Sequence, residues 1–124
     1  MKLRIKDDSI RFRVPPSEVK LLIHDGTLTS RVNFPSRQLL YSLVLDDQVE
    51  EVSVDLVGDE IIARLPNEQA VRWATTDLVG LGSEVDIDSS MSLTLLVEKD
   101  FACLDKSDEE NLDTYPNPNI GQVC

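Results

Sequence analysis

The stretch that decides the fold is Lys2–Gly26, KLRIKDDSIRFRVPPSEVKLLIHDG. Lys2–Lys6 alternates charged and aliphatic residues, with Leu3 and Ile5 on one face. Ser9–Val14 does the same with Ile10, Phe12 and Val14. A period of two is the strand signal, and Asp7-Asp8 between the runs is turn chemistry. The segment therefore reads as a β-hairpin. Pairing its strands puts the apolar residues on one face and Lys2, Arg4, Lys6, Arg11 and Arg13 on the other. Pro15-Pro16 ends the second strand. After it, Val19, Leu22 and Ile23 fall at helical spacing, with Ser17 as the expected cap, Glu18 in the first turn and Gly26 as the stop.

Further strands follow at 27–34, 38–45, 49–56 and 60–65, separated by Pro35-Ser36, Asp46-Asp47 and the tight turn Gly58-Asp59. Short strands with short turns suggest an antiparallel meander. In the third of them, Val52, Val54 and Leu56 are expected to point inward. Asn67, after Pro66, is the expected cap of a second helix with Ala70, Val71, Trp73 and Ala74 on its apolar side. A short strand is expected near 83–87, and a strong one at 91–101. The latter is apolar on both faces at Leu93, Leu95, Leu96 and Val97, which suits a central position. The order is ββαββββα(β)β, with no repeat visible at a fixed period. The fold class is α+β: a mainly antiparallel sheet, or a partial barrel, with two short helices. Residues 1–101 form a single domain and 102–124 an irregular acidic C-terminal segment.

The chain has 124 residues, 41% hydrophobic and 28% charged, enough for one core without staples. Acids outnumber bases 23 to 12, a net charge of −11. That balance disfavours nucleic acid and anionic membrane as partners. No apolar run is long enough for a membrane-spanning helix, and the N-terminal stretch alternates rather than forming a signal sequence. Cys103 and Cys124 stand apart, with no CxxC, which fits reduced thiols in a cytoplasm.

MKLRIKDDSIRFRVPPSEV, WATTD (Trp73–Asp77) and LLVEKDFACLD (Leu95–Asp105) together resemble a family of small uncharacterised bacterial proteins, a domain of unknown function. The most specific part is EKDFACLD (Glu98–Asp105), followed by Tyr115-Pro116-Asn117-Pro118. The resemblance spans nearly the whole chain. It implies a cytosolic bacterial protein and brings no catalytic residues with it.

Function must then be sought in side-chain clusters. The five cations Lys2, Arg4, Lys6, Arg11 and Arg13 could bind an anion, opposed by Arg31 or Arg64 from other strands. Charged side chains on an edge hairpin also serve simply to block edge pairing. Glu98 and Asp100 share a strand face and could approach a hard metal. Cys103 lacks a neighbouring base and has acidic surroundings, which oppose a thiolate. DIDSSMSLTLLVE (Asp86–Glu98) begins like a calcium loop but has no glycine at the sixth position and Val97 at the twelfth. His24 reads as a surface residue near a helix end, and Trp73 as core. No nucleotide or hydrolase motif is present.

The leading expectation is a small non-enzymatic domain that binds a protein partner or a small anion through the N-terminal hairpin, without a cofactor. The alternative is a metal- or phosphate-dependent enzyme distantly like the triphosphate-tunnel proteins, with the cations inside a barrel. Those enzymes carry ExExK where this chain has KLRIK. The alternative would also turn Leu3, Ile5, Ile10, Phe12 and Val14 outward.

Overall fold

The structure, a computed structural model, describes residues 1–102 and 113–116. The hairpin forms as its pattern requires: β1 (Lys2–Lys6) pairs antiparallel with β2 (Ser9–Val14), from Lys2 opposite Arg13 to Lys6 opposite Ser9. Asp7 takes a left-handed conformation at the turn, φ 49°, which a short polar side chain tolerates. Helix α1 (Pro16–Asp25) starts where Pro15 stops the strand, and Pro16 at its first position needs no partner for a missing N–H. Pro15 takes the cap position, so Ser17 is not the cap that the sequence suggests. Instead its hydroxyl donates to Asp113 Oδ2 at 2.5 Å. Gly26, at φ 80°, ends the helix by donating its N–H to the Leu22 carbonyl at 2.8 Å.

The second hairpin joins β3 (Thr27–Asn33) to β4 (Gln38–Leu45), and the third joins β5 (Ser53–Val57) to β6 (Glu60–Leu65). β5 begins later than the alternation implies. Val52 is buried as expected, but Leu56 is 64% exposed. Helix α2 (Asn67–Thr75) follows Pro66, which again holds the cap position in place of Asn67. Trp73 is fully buried, whereas Val71 is largely exposed. The last hairpin pairs β7 (Gly80–Asp86) with β8 (Ser92–Lys99).

These hairpins do not form a meander. They build two four-stranded mixed sheets, ordered β1-β2-β8-β7 and β3-β4-β6-β5. β2 runs parallel to β8, and β4 parallel to β6, so each sheet joins two antiparallel hairpins through a parallel central pair. β8 is central, as its apolar faces require. The sheets have free edges and do not close into a barrel. Phe12, Val14, Leu95 and Val97 from one sheet meet Leu43, Ala63 and Leu65 from the other, with Leu22 and Trp73 from the helices, in a single core. Each of the larger aliphatic side chains and Phe12 contributes on the order of 1.5–3 kcal/mol on burial.

The architecture is a duplication, although the sequence shows no repeat at a fixed period. Lys2–Asp25 corresponds residue by residue to Ser53–Thr76 without a gap, and β3 and β4 correspond to β7 and β8. Registers coincide: Lys2 opposite Arg13 becomes Ser53 opposite Arg64, and Thr27 opposite Val44 becomes Gly80 opposite Glu98. The parallel pair Ser9–Thr94 becomes Glu60–Leu40. Both turns of positive φ match, Asp7 with Gly58. Each half gives one hairpin to each sheet.

Candidate functional site

Alternation fixes which way the N-terminal cations point. Leu3, Phe12 and Val14 lie on the core side, so Lys2, Arg4, Lys6, Arg11 and Arg13 lie together on the outer face of the first sheet. The inward-facing arrangement of a tunnel enzyme is therefore overturned by the direction of the apolar residues and by the open sheet.

The five cations divide into two groups. Three are tied to β8 and the residue after it. Arg11 Nε lies 2.9 Å from Glu98 Oε1, Lys2 Nζ 2.9 Å from Asp100 Oδ2, and Arg13 Nη2 3.2 Å from Asp100 Oδ1. Asp100 is 3% exposed. Its Oδ1 accepts no hydrogen bond among the described residues, and Arg13 approaches it as an ion-pair partner. Arg13 and Asp100 are thus parts of the frame. Their counterparts, Arg64 and Asp46, pair in the other half at 3.5 Å.

Arg4 and Lys6 are exposed, and no ion pair involves them among the described residues. Arg4 sits directly opposite Arg11, and Lys6 opposite Ser9. These four residues line a shallow depression of ≈ 150 Å³. Like charges directly opposite each other weaken a sheet, and the duplicated fold does without them: the corresponding pair in the other half is Asp55 opposite Ile62. Arg11 is offset by Glu98, whereas Arg4 and Lys6 have no ion-pair partner among the described residues and no counterpart cation in the other half. Ser9 is the member of this group that the sequence reading passed over. Its register opposite Lys6 is the signal that would have found it.

Glu98 and Asp100 do share the outer face, as their spacing implies, and both are engaged by cations rather than free for a metal. Among the described residues no group of three or more His, Cys, Asp or Glu side chains could hold a metal ion. Cys103 and Cys124 lie outside the described residues, as does most of the acidic C-terminal segment. Asp88, from the calcium-like stretch, closes a turn instead: its Oδ1 accepts from the Ser90 and Met91 amides at 2.8 and 2.9 Å and from the Ser90 hydroxyl at 3.0 Å. These bonds favour the carboxylate and hold its pKa below the ordinary value. Arg31 is exposed on β3, in the other sheet, and Arg64 is paired with Asp46, so neither joins the hairpin cations. His24 is exposed and faces Asp25 at 2.7 Å. No helix among the described residues is long and apolar enough to cross a membrane.

Tyr115 docks beside Asp100. The Tyr115 amide donates to the Asp100 carbonyl at 2.8 Å, and the Ala102 amide to the Tyr115 carbonyl at 2.7 Å. Lys99, 5% exposed, donates from Nζ to the Thr76 carbonyl at 2.6 Å and so satisfies the C-terminal end of α2. In the other half Gly26 does that work through the backbone.

A family model described as a family of unknown function (DUF7009) matches residues 1–119. The chain belongs to this family. No curated protein and no solved structure matches it. Membership agrees with the resemblance carried by EKDFACLD and the late YPNP, and it attaches no activity to any residue.

Proposed function

We propose that the chain is a small bacterial cytosolic binding protein, not an enzyme, whose N-terminal hairpin takes an anionic group. One observation carries this reading. Arg4 faces Arg11 across the hairpin beside Lys6, in a depression where the fold itself asks for no cation. Arg11 is held in place by Glu98, so its guanidinium is pre-oriented, and Arg4 and Lys6 supply charge that no ion pair among the described residues offsets. Ser9 adds a neutral donor. A phosphate or carboxylate there would relieve the repulsion between the two arginines and accept charge-assisted hydrogen bonds. The cytosolic assignment rests on the two isolated cysteines, and the bacterial one on the family resemblance. Metal-assisted chemistry would first have to free Glu98 and Asp100 from Arg11, Lys2 and Arg13, so it is the weaker alternative.

The test is calorimetric titration and thermal shift of the full chain with pyrophosphate, a nucleoside triphosphate and an acidic peptide. Stabilisation by at least one of them, lost in Arg4→Glu/Lys6→Glu, is expected. If none of them binds, the reading fails.

A further inference from the structure

The duplicated fold allows a comparison between the two flanks of the molecule. β5 lies beside β7, where the Ser83 hydroxyl donates to the Val52 carbonyl at 2.5 Å. By the same symmetry, β1 and β3 are the matching edge strands of the opposite flank. Both flanks leave equivalent apolar side chains uncovered. Ile5 is 55% exposed and its counterpart Leu56 64%, while Phe34 is 54% exposed and its counterpart Ile87 52%. On the β5/β7 flank these border a groove of ≈ 480 Å³ between the sheets, floored by Ile10, Ile61 and Leu93. Charged side chains on the edges would be enough to keep a monomer soluble. They do not account for large apolar side chains left more than half exposed at matching places on both flanks.

The charges on the two flanks have opposite signs. β1 and β3 carry Arg4, Lys6 and Arg31, beside Lys2, which pairs with Asp100, and neither strand carries an acid. β5 and β7 carry Asp55, Glu84 and Asp86 and no base. The fold supplies equivalent edge strands with equivalent exposed apolar residues twice, and the sequence gives one pair basic side chains and the other acidic ones. We propose that the partner of the basic hairpin is a second copy of this chain, which presents its acidic β5/β7 flank with Leu56 and Ile87 against Ile5 and Phe34. This rests on the reading of the hairpin as an anion-binding surface and names the carboxylates it meets. Because the two flanks lie at opposite edges of the sheets, the contact is heterologous, and species beyond the dimer follow as concentration rises. The net charge of −11 opposes association at long range, so the local pairing must outweigh it at contact.

Sedimentation velocity of the full chain at increasing concentration tests this. The mass is expected to rise above the 13.9 kDa of one chain. Arg4→Glu/Lys6→Glu and Asp55→Lys/Asp86→Lys alter exposed positions and should each weaken association by at least about tenfold. The second variant moves the net charge toward zero, so a monomeric result for it cannot be assigned to general repulsion. Mixing the two variants places acidic flanks against basic ones and should restore the larger species. A wild-type chain that stays at 13.9 kDa throughout overturns the proposal. So do variants that associate like wild type, or a mixture that fails to reassemble. Retained binding of pyrophosphate or an acidic peptide by a monomeric wild type would overturn only the self-association and leave the anion-binding reading standing. Binding of a basic peptide by a monomeric wild type would assign the acidic groove to a different partner, and it overturns the proposal equally.

Discussion

Arg13 pairs with Asp100 at 3.2 Å, and the same pair recurs in the other half of the molecule as Arg64 and Asp46 at 3.5 Å. Each ties the inner strand of one hairpin to the end of the parallel strand contributed by the other half. The recurrence separates residues the fold needs from residues that only one half carries. Arg13 belongs to the first group, Arg4 and Lys6 to the second.

The two copies of the pair should differ in worth. The Asp100 side chain is 4% exposed and that of Asp46 23%. Arg13→Ala leaves a buried carboxylate with Lys2 as its remaining partner, at a cost of about 2–3 kcal/mol. Arg64→Ala removes a half-exposed pair and should cost about 0–1 kcal/mol. Urea denaturation of both variants measures the difference, and equal midpoints would contradict it.

Two glycines on β7 look alike in sequence and differ in their surroundings. A Cβ at Gly80 would meet the Val97 carbonyl oxygen at 2.7 Å, which is backbone and cannot yield without breaking the ladder. A Cβ at Gly82 would meet Leu96 Cδ2 at 2.8 Å, the free end of a side chain, with the nearest backbone atom, the Leu95 carbonyl oxygen, farther away at 3.2 Å. Gly80→Ala should therefore cost about 1–3 kcal/mol, and Gly82→Ala under about 1 kcal/mol as Leu96 turns aside. Thermal unfolding of the two alanine variants checks the order.

The pH dependence should carry two separate signatures. The Asp88 pKa is lowered by its bonds to Ser90, so below pH 3.8 the unfolded chain takes up a proton before the folded one. The stability Asp88 provides is present above that value and lost as pH falls through its folded pKa. The urea midpoints of wild type and Asp88→Ala should converge in acid. At the alkaline end, burial and then Asp113 raise the Tyr115 pKa above 10.0. The unfolded chain then loses the phenolic proton first, and stability falls as pH rises past 10.0. Burial lowers the Lys99 pKa below 10.5, which acts in the opposite sense. Tyr115→Phe should thus flatten the alkaline loss, and an unchanged alkaline slope would refute the assignment.

The local elements were legible in the sequence, because alternation and turn residues are local. β1, β2, β4 and β6 begin and end where Asp7-Asp8, Pro15, Asp46 and Gly58-Asp59 punctuate the pattern. The neighbours of each strand were not legible. Alternation tells which face Phe12 occupies, but not that β8 lies beside it. The duplication was hidden for a related reason. Over Lys2–Asp25 and Ser53–Thr76 the matching positions keep apolar character while exchanging size, as with Phe12 for Ala63 and Leu22 for Trp73. A large residue in one half is balanced by a small one in the other, which preserves the packed volume and erases the letters. Of the site, the shared face of the cations could be read. The ion pairs that remove Lys2 and Arg13 from it could not, since they depend on that same unseen strand.

The interleaving of the halves makes a last prediction. Each sheet needs one hairpin from each half, so neither half can complete a sheet alone. Cut between Gln48 and Val49, the first piece would expose the flanks of β2 and β4 together with Phe12, Val14 and Leu43, which β8, β6 and α2 normally help to cover. The second piece would expose Trp73, Leu95 and Val97 in the same way. Both pieces should lack cooperative unfolding when separate, since several large apolar side chains at on the order of 1.5–3 kcal/mol each lose their cover. Mixed, they should reassemble through the parallel pairs. Trp73 is the chain's one tryptophan and is fully buried in the whole protein, so its emission should shift to the blue as the first piece binds the second. A second piece that unfolds cooperatively by itself, or a mixture whose emission does not move, would show that the parallel strand pairs do not hold the two halves together.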